Sequence, residues 1–264
     1  MPPDDVYTHG HHESVLRSHE WRSATNSAGY LLDALTAGTR VLDVGCGPGT
    51  ITVDIARRVA PGRVLGLDRA EEVLERARAA ARAGGVDNVA FAVGDVYALD
   101  LPDASFDVVH AHQVLQHLTD PVAALREMRR VCTTHGVVAA RDSDYATFTW
   151  WPEDPRLTRW LALYHDVTRG NGAEPDAGRR LLAWAHEAGF AQVDASASTW
   201  CFATPEDRAW WGGLWSDRVV ASAFADQAVD GGLATRAELE AMSDAWRAWS
   251  ASPDAWFAIV HGEI

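Results

Sequence analysis

An α/β fold on a doubly wound, mainly parallel sheet is what this sequence predicts, and three observations predict it. Short apolar, β-branched runs alternate with helix-patterned segments through the first half of the chain, which is the spacing of right-handed βαβ units. The first of these runs passes straight into a glycine-rich loop and then a helix, "VLDVGCGPGT" at 41–50. Eleven of the twelve tryptophans fall at or after Trp150, so a first half rich in Gly, Val and Asp gives way to a second half with a different job.

Residues 12–35 have helical spacing, with Val15, Leu16, Tyr30, Leu31, Leu32 and Leu35 apolar, until "TAGTR" breaks the pattern. A strand follows at 40–45, a helix at 50–60, a strand at 62–68 and a helix at 70–83. Strands at 88–94 and 106–112, a helix at 120–132 and a strand at 136–141 complete the regular part. Beyond residue 150 the segments 154–170, 176–188, 205–228 and 234–250 read as helices, while 191–202 and 256–262 read as two further strands. No internal repeat or low-complexity tract interrupts this order.

Composition narrows the function classes. With 264 residues, 47% of them hydrophobic, the chain can bury a substantial core. A net charge of −14 with no basic stripe would repel a phosphate backbone, so nucleic acid is not an expected partner. Three widely spaced cysteines (Cys46, Cys132, Cys201) form no CxxC pair, which argues against a disulfide framework or zinc ribbon and fits a reducing cytoplasm. The start, "MPPDDVY", has no apolar leader core, and no run of eighteen apolar residues occurs, so a soluble cytoplasmic protein without a membrane span is expected.

The glycine loop is the sharpest local signal. Glycines at 45, 47 and 49 let the chain bend tightly at the carboxyl end of a strand, where open α/β sheets bind ligands. The spacing is GxGxG after an acidic strand end, Asp43, and not the GxGxxG of dinucleotide folds. A second acidic residue, Asp68, ends the next strand, and "VGDVYAL" (93–99) places Asp95 and Val96 after the third. "LPDASFDVVHAHQVLQHLTDP" (101–121) covers the fourth.

These four motifs, in this order, resemble class I S-adenosylmethionine-dependent methyltransferases, specifically the ubiquinone/menaquinone-biosynthesis type, closely over residues 40–142. The resemblance implies a Rossmann-like sheet in the order 3-2-1-4-5-7-6 with its last strand antiparallel, an N-terminal helix and helical lid insertions. It implies S-adenosyl-L-methionine as cofactor, with Asp43 and His112 among its contacts, Gly45, Gly47, Gly49 and Thr50 at its methionine half, Asp68 and Arg69 at its ribose, and Asp95 and Val96 at its adenine. "CTTHGVV" (132–138) departs from the Pro-Gly-Gly turn common in relatives, a surface variation away from the cofactor. Cys46 reads as a space-filling loop residue, since displacement at a sulfonium needs no covalent enzyme intermediate. The chain is then expected to be one domain, 1–264, with a helical cap (1–38), a cofactor-binding core (39–150) and substrate-side helices with the last strands (151–264). A homodimer is left open.

In-line transfer draws its rate from orientation and exclusion of water, and it needs a base only if the acceptor must lose a proton. Strand four ends in "HAHQ" and strand five in "RDSDY", neighbours in the implied order. His112 and Asp142 are therefore candidates for a base and the carboxylate that orients it. A divalent metal is the disfavoured alternative, because metal-dependent relatives use oxygen ligands at other positions; no metal is expected. His110, His117 and Asp144 read as structural. Trp160, Trp184, Trp246 and Trp249 read as core, whereas "FTWWPEDP" (148–155) and "AWWGGLWSDR" (209–218) cannot all face one core. They suggest an apolar pocket for a flat small-molecule acceptor under a helical lid.

"YTHGHHESVLRSHEW" (7–21) holds four histidines. By analogy with class I enzymes whose first segment folds over the cofactor, Tyr7 and His11 are candidate cofactor contacts and His12 a candidate base, against a solvated helix start or a metal site. Two rivals to methyl transfer stand at this point: a nicotinamide oxidoreductase on the same architecture, and a non-catalytic S-adenosylmethionine sensor.

Overall fold

The computed structural model describes residues 5–8, 17–19 and 21–264. His11 and His12 lie outside the described residues, as does His9.

Eight strands form one sheet: β1 (Val41–Val44), β2 (Val64–Asp68), β3 (Val89–Val93), β4 (Phe106–His112), β5 (Cys132–Ser143), β6 (Thr149–Trp151), β7 (Ser196–Phe202) and β8 (Trp256–Glu263). Their order is β3-β2-β1-β4-β5-β8, with β7 on the far edge of β8 and β6 beside β8 on its β5 side. With the short β6 set aside, this is the expected 3-2-1-4-5-7-6, and the final strand β8 runs antiparallel to both neighbours. All four residues of β1 are buried, as befits a parallel strand covered on both faces.

Helices α2 (Thr50–Val59), α3 (Glu71–Ala83), α4 (Pro121–Val131) and α6 (Leu181–Glu187) sandwich the sheet. Each buries one stripe: Ile51, Ile55 and Val59 of α2 pack with Val41 and Val108, whereas Leu125 and Met128 of α4 pack with Val109 and Ala140. Asp120 caps α4 by accepting from the Ala123 N–H at 2.8 Å, and Pro121 supplies the preset first turn.

The expected single helix over 12–35 is broken within its described part. Arg17, Ser18 and His19 are helical, a new helix α1 runs Ala24–Ser27, and a tighter 3-10 turn covers Gly29–Ala34. The restart is local chemistry: Ser23 and Asn26 form a reciprocal capping box.

The second half adds α5 (Pro155–Gly170), α7 (Pro205–Ala221), α8 (Ala223–Asp230) and α9 (Arg236–Ala251). The run read as one helix over 205–228 splits at Ser222, whose extended backbone separates α7 from α8. These helices share an aromatic core in which Trp160 meets Trp215 and Trp246 edge-on, at centroid separations of 4.5 and 4.9 Å. Trp184 and Trp249 are buried as well. No helix among the described residues is long and apolar enough to cross a membrane.

Candidate active site

A cavity of about 580 Å³ opens at the carboxyl ends of the strands. That is the ligand-binding edge of an open α/β sheet, and the volume suits a cofactor with a small acceptor.

The loop after β1 forms the floor. Gly45, Gly47 and Gly49 all have positive φ (65°, 54° and 80°), a region side chains disfavour. A Cβ on Gly45 would also collide with Val114, and one on Gly49 would sit 2.7 Å from Ala77 Cβ. Asp68 holds the loop: one carboxylate oxygen accepts from the Gly47 N–H and the other from the Ala70 N–H, each at 3.0 Å. Asp43 braces it from behind, accepting from Thr52 Oγ1 at 2.5 Å and from His110 Nδ1 at 2.7 Å. Burial pushes the Cys46 thiol well up, which keeps it protonated and unreactive.

Asp68, Arg69, Asp95, Val96 and Thr50 all line the cavity with the loop. Over them crosses the N-terminal segment. Asp5 accepts from the Thr119 N–H at 2.9 Å and the Tyr97 hydroxyl at 3.2 Å, and its carbonyl accepts from Arg69 at 3.1 Å. Tyr7 is half-buried and edge-on to His117, with ring centroids 4.8 Å apart, and desolvation raises its hydroxyl to about 12, so it stays neutral. Thr50 Oγ1 donates to the His19 carbonyl at 3.1 Å, tying the segment to the start of α2.

The opposite half of the cavity is built by β4, β5, β7, β8 and α7. Tyr145, Phe148, Trp200, Trp211, Trp215 and Ile259 supply apolar walls. Of the two aromatic stretches read as pocket, "AWWGGLWSDR" contributes Trp210, Trp211, Trp215 and Arg218, but "FTWWPEDP" contributes only Phe148. Trp150 and Trp151 instead pair in β6 against Phe257 and Trp256, with Trp151 57% exposed on the outside.

His112 lines this half, and neither ring nitrogen has a hydrogen-bond partner among the described residues. Burial first, then the Arg22 and Arg141 guanidiniums, hold its pKa well below the usual imidazole value. The carboxylate expected beside it is not there. In register, His112 sits opposite Arg141, so Asp142 points to the other face of the sheet and does not line the cavity. Asp142 accepts from the Gln116 N–H at 3.1 Å, and burial lifts its pKa to about 7. Its position is that of an anchor for the turn Leu115–His117, behind the wall. His110, read as structural, is buried and bonded to Asp43. Asp144 is tied to Arg179 at 2.6 Å.

Several site residues had no local signal. Gln113, with φ 54°, donates from Nε2 to Ser143 Oγ at 2.7 Å, and that nitrogen lies 3.0 Å from His261 Nε2. Its amide oxygen accepts from Arg22. No group of three or more metal-ligating side chains occurs among the described residues.

A glycine loop braced by Asp43 and Asp68, with Asp95 after the third strand and the β8 topology, defines a class I S-adenosylmethionine-dependent methyltransferase. The chain belongs to the methyltransferase domain family, whose model matches residues 35–189. It is 35% identical over 275 residues to an uncharacterized methyltransferase of Schizosaccharomyces pombe, covering 100% of this chain and 97% of that protein. It is 33% identical over 135 residues to the demethylmenaquinone methyltransferase of Listeria welshimeri, across 51% of this chain and 56% of that one. A SAM-dependent methyltransferase of Aquifex aeolicus shares the fold at a TM-score of 0.53 and 19% identity, covering 69% of this chain and 90% of that one. The nicotinamide and non-catalytic readings are thereby set aside: the chain is an S-adenosylmethionine-dependent methyltransferase. The residues present fit that cofactor: Gly45, Gly47, Thr50, Asp68 and Asp95 line one cavity, and the loop packs so closely on its neighbours that a Cβ at Gly45 or Gly49 would strike Val114 or Ala77.

Proposed function

We propose that this enzyme methylates a small, flat, apolar or aromatic metabolite in the cytoplasm. The observation that carries this reading is the wall of Tyr145, Phe148, Trp200, Trp211 and Trp215 around the half of the cavity that adjoins the glycine loop. The net charge of −14 supports a small-molecule acceptor over a nucleic acid.

When bound, the cofactor supplies an activated methyl group on a sulfonium. The chain's own residues bind, orient and exclude water. Gly45, Gly47, Gly49 and Thr50 cradle the methionine half, Asp68 and Arg69 serve the ribose, and Asp95 and Val96 meet the adenine. Tyr7 and its segment cover that half. The aromatic walls fix the acceptor's plane, so that much of the acceleration comes from alignment in a dry cavity. His112, neutral and with no partner on either nitrogen among the described residues, is the group we assign to accept a proton where the acceptor loses one. Asp142 acts at one remove, by holding the turn that follows β4.

The test is product formation from labelled cofactor across phenols, indoles and quinols. Turnover on at least one flat aromatic class is expected; turnover confined to aliphatic amines would overturn the acceptor assignment.

A further inference from the structure

The N-terminal segment, β4, β5 and β8 meet at one side chain, the amide of Gln113. Gln113 stands in the left-handed region at φ 54°, which a residue with a side chain rarely adopts, and its N–H donates to the Arg141 carbonyl at 2.7 Å. Strain of this kind is kept where a side chain must be aimed. Here the amide is aimed so that Oε1 meets Arg22, while Nε2 lies 2.7 Å from Ser143 Oγ and 3.0 Å from His261 Nε2.

Chemistry fixes the direction of each of these hydrogen bonds. A guanidinium donates and cannot accept, so the Gln113 atom that faces Arg22 is the oxygen. The NH2 group therefore turns to Ser143 and His261, and it too donates and cannot accept. His261 must offer a lone pair at Nε2, which agrees with a ring kept neutral by burial and then by the Arg141 and Arg22 guanidiniums. Ser143 must likewise accept, so its own proton points away from Gln113.

Ser143 is 3% exposed, and no group among the described residues accepts that proton. A buried hydroxyl proton left without an acceptor is costly. Ser143 lines the cavity at the end of β5, on the face of Arg141 and hence of the register partner of Arg141, His112. The missing lone pair is one that a ligand in this half of the cavity would bring.

We propose that Ser143 is a specificity residue for the methyl acceptor: its hydroxyl donates to a carbonyl, phenol or ether oxygen on the acceptor's ring system, and Gln113 is the positioning residue that turns it that way. This rests on the methyl-transfer reading above and adds a polar handle to the flat, apolar acceptor. His112, with a lone pair to offer, and Ser143, with a proton to offer, then meet one ligand from neighbouring strands. A ring that can donate but not accept finds no partner at Ser143.

The experiment is calorimetry on the full chain, first with S-adenosylhomocysteine alone and then, in the saturated protein, with 1-indanone and indole. These bicycles match in size, but the indanone oxygen accepts without donating, whereas indole donates and has no comparable lone pair. Absence of S-adenosylhomocysteine binding would defeat the methyltransferase reading of the site and is read separately. Indanone is expected to bind about tenfold more tightly than indole. Ser143→Ala should reduce that advantage to about twofold or less, with S-adenosylhomocysteine affinity retained, which also reports that the variant is folded. Gln113→Glu is the sharper arm, because it leaves Ser143 intact. A carboxylate there accepts from the Ser143 hydroxyl as well as from Arg22 and draws the proton off the ligand, so the indanone advantage should fall equally. This arm decides the matter if Ser143→Ala does not fold, and a serine that only fills space would leave its ligand choice unmoved. The proposal is overturned if indole binds as well as indanone, if neither binds, or if the advantage survives either variant. It is equally overturned if Ser143→Ala stays folded by circular dichroism yet loses S-adenosylhomocysteine, which would assign the hydroxyl to the cofactor.

Discussion

His110 Nδ1 lies 2.7 Å from Asp43 Oδ1 across the paired strands β4 and β1, at positions directly opposite in register. The same carboxyl group accepts from Thr52 in the first turn of α2, so one buried side chain ties two strands and a helix together immediately behind the glycine loop. Removing it leaves His110 and Thr52 facing an empty place.

Asp43→Ala is therefore expected to cost about 3 kcal/mol of stability, because it leaves two buried groups, His110 Nδ1 and Thr52 Oγ1, without their acceptor. Chemical denaturation checks it. A loss under 1 kcal/mol would mean that the brace is not needed, on the scale of an ordinary exposed pair.

Gly45→Ala should abolish binding of S-adenosylhomocysteine while leaving secondary structure intact. The new methyl group would meet Val114, and the residue must hold φ 65°. Val114→Ala in the same chain removes the collision but not the backbone cost of about 1–2 kcal/mol, so calorimetry should show partial recovery. Full binding by the single variant would contradict the cradle.

The pH dependence of stability should change sign of slope at one residue. Asp142 is raised to about 7 when folded, against an ordinary carboxylate value of 3.8. The folded state thus holds the extra proton between those values, so its contribution is full below 3.8 and is lost as the pH rises through 7. Asp142→Asn keeps the acceptor for the Gln116 N–H and cannot ionise. Relative to wild type, the variant should gain melting temperature at pH 8 over pH 5; parallel pH profiles would refute the burial account.

His112→Ala should lower kcat by about 10²-fold or more for an acceptor that must be deprotonated, with S-adenosylhomocysteine affinity little changed. Because the folded pKa is far below the usual value, His112 is neutral throughout the neutral range. An imidazole base of ordinary pKa would give a rate rising near pH 6.5; here the kcat/KM profile should be flat across pH 6.5–8 on its account. A titration near 6.5 that vanishes in His112→Ala would overturn this.

Loss of the N-terminal strap should be kinetic. Asp5→Ala removes the acceptor for Tyr97 and the Thr119 N–H, and S-adenosylhomocysteine should dissociate faster in stopped-flow fluorescence. An unchanged off-rate would mean that the strap does not hold the cofactor.

The cofactor half was legible in the sequence because it is made locally. Strand, loop and helix run on without interruption from Val41 to Val59, and parallel strands buried on both faces read as apolar runs. The acceptor half was not, since Arg22, Gln113, Trp200, Arg218 and His261 arrive from five distant segments with no shared spacing. Asp142 shows the limit in one residue. Alternation says which residues share a face of their own strand, but only the register, His112 opposite Arg141, says whose face they join. The three-residue β6 is too short to show any period, so its Trp150 and Trp151 were read as pocket when they are edge strand.

β8 lies later in the chain than every strand it touches, and it alone joins β5, β6 and β7. The loop and strands β1 to β4 that hold the cofactor side are complete by residue 112, long before 256–263 is made. During synthesis on the ribosome, the cofactor cradle can therefore take shape first, while the acceptor walls wait for β8 to bridge Trp200 and Phe148 into one surface. The order of the chain thus separates the two sides of the cavity: the loop side is complete by residue 112, whereas the aromatic side closes only with β8.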